Sequence, residues 1–418
     1  MTQFIDSLKT RLEDILIFLK WVILSVMVGC SVGFIGALFH YAIEYATHFR
    51  TTHWYIILTL PIGGLLIVYL YHVTQMANDK GTNLVLLSIR EANPISFKTA
   101  PLIFIATVIT HLCGGSSGRE GAALQLGSSI SYQIGKLFRL DEKDLHIMTM
   151  CGMSAGFSAL FGTPLAAAIF AMEVISVGIM HYAALVPCTL AALIGYGIAG
   201  KLSITPTSFH LSNVPSLGVS STVHVIILAL LTALISIVFC QTLHKTTKLY
   251  KKFFPNPYIR IVVGSFLVLG LTLACGSTDY LGAGMPIIRE AIEGTVVPWA
   301  FILKLVFTAL TLGAGFKGGE IVPAFFIGAT FGHLVGDLFG FSSSFSASIG
   351  LIALFCGVTN CPITSFILSL ELFGSEGSLF FMLACAISYM TSGYQGLYSK
   401  QKIMYSKMRP EFINQFTE

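Results

Sequence analysis

Three stretches of this chain recur at nearly one spacing. Ile89-Arg90-Glu91-Ala92 returns as Ile288-Arg289-Glu290-Ala291, Gly118 and Glu120 return as Gly318 and Glu320, and Pro164 to Glu173 returns as Pro362 to Glu371, all at offsets of 198 to 200 residues. Independent matches at one offset mean two homologous halves of about 200 residues each. Basic residues show how the halves sit. The N-terminus, the segment with Lys245, Lys248, Lys251, Lys252 and Arg260, and the tail from Lys400 to Arg409 are basic, whereas residues 202–222 hold no Lys, Arg, Asp or Glu. The positive-inside bias puts the basic segments in the cytoplasm and the uncharged linker outside. The first half then runs inside to outside and the second outside to inside, so the two are inverted.

The solvent for this fold is lipid. Hydrophobic residues make up 55% of the 418, charged residues 11%, and the mean hydropathy is +0.80, which excludes a soluble globule of this size. Residues 20–48 and 54–74 are long enough to cross a bilayer, but the pieces 100–113, 121–137, 146–161 and 164–180 are short and separated by Gly, Pro or charge. Short interrupted segments read either as discontinuous helices meeting near mid-membrane or as tilted spans with ordinary breaks, and the repeat favours the first. The expected order is an amphipathic cytoplasmic helix over 1–19 (Lys9, Arg11, Glu13, Asp14), a first membrane repeat over 20–200, an external linker over 201–222, a second inverted repeat over 223–405 and a cytoplasmic tail over 406–418. No signal-peptide layout opens the chain. The nine cysteines are scattered without a C-x-x-C pair and read as small core residues. No metal, cofactor or nucleic-acid partner is expected, and the absence of H-E-x-x-H or paired intramembrane aspartates disfavours an enzyme.

The chemistry concentrates in Gly114 to Gly127, GGSSGREGAALQLG, and its echo Ala314 to Gly328, AGFKGGEIVPAFFIG. A small-residue run opening a helix leaves backbone N–H groups free, and these together with the helix dipole make an anion site. A carboxylate at that spot, Glu120, competes with the anion for the same N–H groups, so that protonating it frees the site; the plain alternative is an ion pair with Arg119. Glu173 and Glu371, each nine residues after a proline, read as structural caps on neighbouring helix N-termini. Lys304 either draws anions or pairs with an acid, and His111 reads as packing.

These motifs resemble the CLC family of chloride channels and anion/proton antiporters. GSSGREG looks like that family's GREGP signature, VFTALTLGAGFKGGEIVP like its later GxFxP segment, FRLDEKDLHIMTMCGMSAGFSALFGTPLAAAIFAMEV like its middle helices, and GLYSKQ sits where its pore tyrosine does. The likeness runs from about residue 20 to 405. Four departures stand out. The family's GSGIP motif is Gly81-Thr82-Asn83-Leu84-Val85 here, GREGP ends in Ala122, the later phenylalanine is Ile321 preceded by Glu320, and the internal proton glutamate is Val174 after Glu173. Together they resemble the fluoride-specific branch of the family.

The resemblance implies an all-α polytopic membrane protein with a CLC-type inverted repeat of antiparallel halves, broken helices meeting at mid-membrane, and a homodimer in which each subunit holds its own pathway. It implies a fluoride/proton antiporter exporting fluoride, with a chloride/proton antiporter or passive chloride channel as the alternative, in the lipid of a bacterial inner membrane. Anion contacts would come from Gly118, Arg119, Gly121, Ala122, Thr82, Asn83, Ile321, Val322 and Tyr398. Thr82 is either a hydroxyl donor or a backbone-bonded loop residue, and Tyr398 either a phenol donor or an interfacial anchor. Glu320 is either a second proton carrier replacing the one lost at Val174 or the partner of Lys317 or Lys304. A small, strongly hydrated anion needs several close donors, so backbone N–H groups should dominate its coordination.

Overall fold

The computed structural model describes residues 2–418 without the side chains of residues 2–5 and 7–9, so Lys9 of the expected surface helix lies outside the described side chains. The first half holds α1 (Thr2–Thr52), α2 (Leu60–Val73), α3 (Thr82–Glu91), α4 (Thr99–Cys113), α5 (Glu120–Leu137), α6 (Glu142–Phe161), α7 (Pro164–Glu173) and α8 (Leu185–Lys201). The second holds α9 (Val219–Phe253), α10 (Pro257–Cys275), α11 (Met285–Glu293), α12 (Ala300–Ala314), α13 (Ile321–Phe339), α14 (Ser343–Thr359), α15 (Pro362–Phe373) and α16 (Ser378–Thr391). Among the described residues, six helical stretches are long and apolar enough to cross a bilayer, and six further apolar helices run only 10–17 residues. Both α7 and α15 are of the short kind, at 10 and 12 residues. The architecture is therefore a polytopic bundle of full spans and broken helices, as the sequence implies.

Three details depart from the sequence reading. The surface helix and the first span are one continuous α1, with no break at residue 19. The repeat register in the central helices is 201, since α4 and α12 start at Thr99 and Ala300, α5 and α13 at Glu120 and Ile321, and α6 and α14 at Glu142 and Ser343. Gly114 and Gly315, which end α4 and α12 in left-handed conformations, share that spacing. Glu320 is thus the counterpart of Arg119, and the true mate of Glu120 is Ile321. Lastly, the expected tail over 406–418 is built into the fold. Its strand β3 (Phe412–Phe416) pairs antiparallel with β2 (Lys402–Tyr405), which pairs parallel with β1 (Ser176–Val177), and Thr417 donates from Oγ1 to Tyr398 O at 2.6 Å.

Helix starts follow local chemistry. Asp141 caps α6 by accepting from the Asp144 amide at 2.8 Å, and Ser342 caps α14 by accepting from Phe345. The small-residue runs let the central helices touch backbone to backbone. A side chain at Gly127 would run into the Gly152 carbonyl where α5 meets α6, and one at Gly328 into the Gly350 carbonyl where α13 meets α14. The linker after α8 spans both halves: Thr207 N donates to Phe161 O at 2.9 Å, Phe209 N to Leu372 O at 2.9 Å, and Ser212 O accepts from Ser342 Oγ at 3.0 Å. Seven of the nine cysteines are buried or nearly so as core residues, while Cys275 is half-buried and Cys30 is exposed.

The halves are also locked by exchanged caps, as the repeated glutamates suggest. Glu371 accepts from the amides of Leu165 and Ala166 at 2.9 and 2.8 Å, and Glu173 accepts from those of Ile363 and Thr364 at 3.1 and 2.8 Å. Pro164 and Pro362 supply no N–H at the first helical position, so each carboxylate takes the next two amides. Charge-assisted bonds of this kind contribute about 1.5–3 kcal/mol each, and Glu371→Ala would strip two helix-start amides, that of buried Ala166 among them, of partners at once. Thermal unfolding in detergent should show Glu371→Ala and Glu173→Ala both lowering the midpoint by several degrees, and Glu371→Gln losing less. A midpoint equal to wild type in the alanine variants would mean the caps do not hold the halves together.

Candidate anion site

The two small-residue runs meet where the halves cross. Gly118 N donates to Gly319 O at 2.7 Å and Gly319 N donates to Gly118 O at 2.8 Å, an antiparallel bridge just ahead of α5 and α13. The helix starts therefore face one another, and their free amides point into one small volume. Side chains brace the first loop from α12: Ser116 Oγ meets Thr308 Oγ1 at 3.1 Å, and Ser116 N donates to Thr311 Oγ1 at 3.1 Å. Ala122, Ile321 and Val322, in the first turns of α5 and α13, are buried.

Glu120 sits inside this junction, fully buried. Its Oε2 accepts from the Arg119 amide at 2.9 Å, and the amides of Glu120 itself and of Val322 lie within reach of the carboxyl. Its Oε1 is buried without a hydrogen-bond partner. The Arg119 guanidinium turns away, donating to His40 Nδ1 at 3.0 Å, and its Nε stays 3.8 Å from Glu120 Oε1. The ion pair with Arg119 is thus present, but it is long and leaves Glu120 Oε1 without a hydrogen bond.

Across the junction stand two hydroxyls. Thr82 opens α3 behind Gly81, whose φ of +60° suits only glycine, and its Oγ1 is buried beside Gly121 O at 3.5 Å. Tyr398 is buried with a phenol that has no partner, in electrostatic reach of both Glu320 and Glu120, which is not the setting of an interfacial anchor. Its loop is held on several sides: Leu397 N donates to Val358 O at 2.9 Å, His244 Nε2 meets Gly396 O at 2.8 Å, and Thr417 holds Tyr398 O. Asn83, expected at the anion, has its Oδ1 occupied by Lys400 N at 2.9 Å and ties α3 to the Tyr398 loop.

Glu320 is half-buried beside Gly121, and neither expected lysine pairs with it. Lys317 binds Asp79 at 3.1 Å and lies over the Tyr71 ring, while Lys304 donates to Tyr280 O and Gly282 O at 3.1 and 2.7 Å. His111 is buried, with Nε2 3.4 Å from Gly118 O, and packs behind the first loop. A cavity of about 1280 Å³ lined by Lys80, Lys248, Lys251 and Arg260 reaches Gly81, Asn83 and Ser399, the neighbours of Thr82 and Tyr398. Two buried polar residues escaped the sequence reading. Ser117 carries an unpartnered hydroxyl next to Gly318, and Gln125 contacts both Thr82 and Gly121. Gln125 could have been found as the one long polar side chain in GAALQLG, a turn beyond Gly121.

Known proteins resemble this chain in sequence and fold. The model of the voltage gated chloride channel family matches residues 63–393. This chain belongs to the CLC family. A "Chloride/fluoride channel protein" of Pseudomonas syringae pv. tomato is 34% identical to this CLC chain over 395 residues, covering 93% of it and 87% of the relative. The crystal structure of a CLC-type fluoride/proton antiporter superposes with a TM-score of 0.89 at 32% identity, covering 92% of this chain and 98% of that one. A slow cyanobacterial Cl−/H+ antiporter shares the fold at 19% identity and a TM-score of 0.76, covering 89% and 94%.

The bridge makes a testable demand on this CLC site. A methyl group at Gly319 would fall on the Gly121 amide and against that of Glu120. Gly319→Ala should therefore weaken anion binding about tenfold or more while the protein stays folded, since a charged hydrogen bond is worth roughly 1.5–3 kcal/mol. Isothermal titration with fluoride on monodisperse protein reads this directly, and wild-type affinity would show that these amides do not face the anion.

Proposed function

We propose that this chain is a fluoride/proton antiporter that exports fluoride, with Glu120 as the gate. The observation that carries the reading is the Glu120 carboxyl lying at the joined starts of α5 and α13, holding the Arg119 amide with one oxygen and leaving the other without a hydrogen bond. Carboxylate and anion need the same amides, so they exclude each other, and a proton taken by one becomes linked to movement of the other. The relatives at 32% and 34% identity whose names carry fluoride support the choice of ion. Gly121 and Val322 supply amides, while the Gly118 amide is held by Gly319 O in the bridge; Thr82 and Tyr398 supply the two O–H donors.

Glu320 serves as the second proton carrier. It stands half-buried, free of Lys317 and Lys304 and in electrostatic reach of Glu120, while Val174 is buried and apolar where the family's internal glutamate would be. The basic cavity is the cytoplasmic mouth, residues 202–222 lie outside, and the protein works as a homodimer in a bacterial inner membrane. The chloride reading draws on the Pseudomonas relative, whose name includes both ions.

Liposomes loaded with fluoride and followed by fluoride electrode and internal pH test this. Wild type should move fluoride far faster than chloride and drive protons uphill. Glu120→Gln should lose proton coupling entirely while retaining fluoride movement. Equal chloride and fluoride rates, or wild-type fluoride flux without protons, would favour a chloride antiporter or a channel.

A further inference from the structure

We propose that Gln125 is a positioning residue of the anion site: its carboxamide occupies the acceptor side of the Thr82 hydroxyl and so leaves the hydroxyl proton for the anion. This rests on the reading of Thr82 as an anion donor. Gln125 is buried on α5, and its Nε2 lies 3.3 Å from Thr82 Oγ1 and 3.1 Å from Gly121 O. The amide nitrogen has two hydrogens, one for each acceptor. Turning the amide over would set Oε1 against the Gly121 carbonyl, two acceptors at bonding distance, so this orientation is the bonded one.

The consequence falls on the Thr82 proton. A threonine hydroxyl donates one hydrogen bond and accepts up to two. With Gln125 donating into Oγ1, the hydroxyl hydrogen must find an acceptor elsewhere. The one protein acceptor in range is Gly121 O at 3.5 Å, the outer limit for a hydrogen bond, and that carbonyl already receives Gln125 Nε2. A small, strongly accepting anion between Thr82 and Tyr398 would take the proton better. Gln125 Oε1 meanwhile stays buried without a partner, a cost in stability that a purely structural residue would have no reason to carry. The bond also joins α5, which begins at Glu120, to α3, which begins at Thr82.

The test is a double-mutant cycle on fluoride-driven proton movement in liposomes, with fluoride concentration varied. Gln125→Met keeps the length of the side chain and removes the donor, Gln125→Leu is a second apolar variant, and Thr82→Val removes the hydroxyl. The expected result is an apparent KM for fluoride raised about tenfold in each single variant, with little change in maximal rate, a smaller change for chloride, and no further rise in the Gln125→Met/Thr82→Val double. A wild-type KM in both folded Gln125 variants overturns the proposal, as does a double variant whose effects simply add. If Thr82→Val itself leaves KM unchanged, the Thr82 reading falls and this proposal with it. If Thr82→Val raises KM but the Gln125 variants do not, only the role of Gln125 falls.

Discussion

The structure depends on what happens to backbone N–H groups at helix starts that lie inside a membrane. No water is present there to satisfy them, so each start needs a partner. The chain answers in two ways. At α7 and α15 the partner is permanent, because Glu371 and Glu173 reach across the two halves and close those starts with paired bonds. At α5 and α13 the starts face each other across the Gly118–Gly319 bridge, with Glu320 just before α13 and Glu120 opening α5, hydrogen-bonded at one oxygen only. The first pair of glutamates belongs to the scaffold. Glu120 at the second junction has no such paired cap, and that difference is what the proposed exchange of anion for carboxylate draws on.

Close approach of the helices makes the junction small enough to matter. Gly127 against Gly152 and Gly328 against Gly350 bring α5 onto α6 and α13 onto α14 at a distance that no side chain would permit. These contacts fix the direction of α5 and α13, and so the direction in which their free amides point. Preorganised donors lose nothing in reorientation when the anion arrives, which suits an ion as firmly hydrated as fluoride.

Much of this was readable in the sequence because repetition carries information that composition does not. The 198–200 offset gave two halves, and the recurrent Pro-to-Glu spacing pointed to caps, which the hydrogen bonds of Glu173 and Glu371 bear out. The register at Glu320 slipped by one, since matching letters aligned glutamate with glutamate whereas the fold aligns helix starts. The small sheet was invisible for another reason. A two-residue β1 and a four-residue β2 lack room for a strand period, β1 pairs with β2 from the other half of the chain, and β3 pairs with β2 across a short turn that no local pattern marks. Asn83 and Gln125 show the same limit at the site. Both are polar residues near the right glycines, but which one ties a loop and which one meets the Thr82 hydroxyl is decided by packing between helices.

The two halves share a fold and differ in what they load onto it. At the shared register, Glu120 in the first half stands where Ile321 does in the second, and Arg119 stands where Glu320 does. A perfectly symmetric pair of helix starts would hold an anion equally from either side and give it no direction. Placing the carboxylate at one start, an apolar wall at the other and a half-buried acid just before that wall separates the anion's contacts from the acid beside them. The loops that carry Thr82 and Tyr398 are tied together by the Asn83–Lys400 bond, and their neighbours Gly81, Asn83 and Ser399 line the basic cavity. Duplication built the junction of helix starts, and divergence between the copies placed Glu120 at one start and Ile321 at the other.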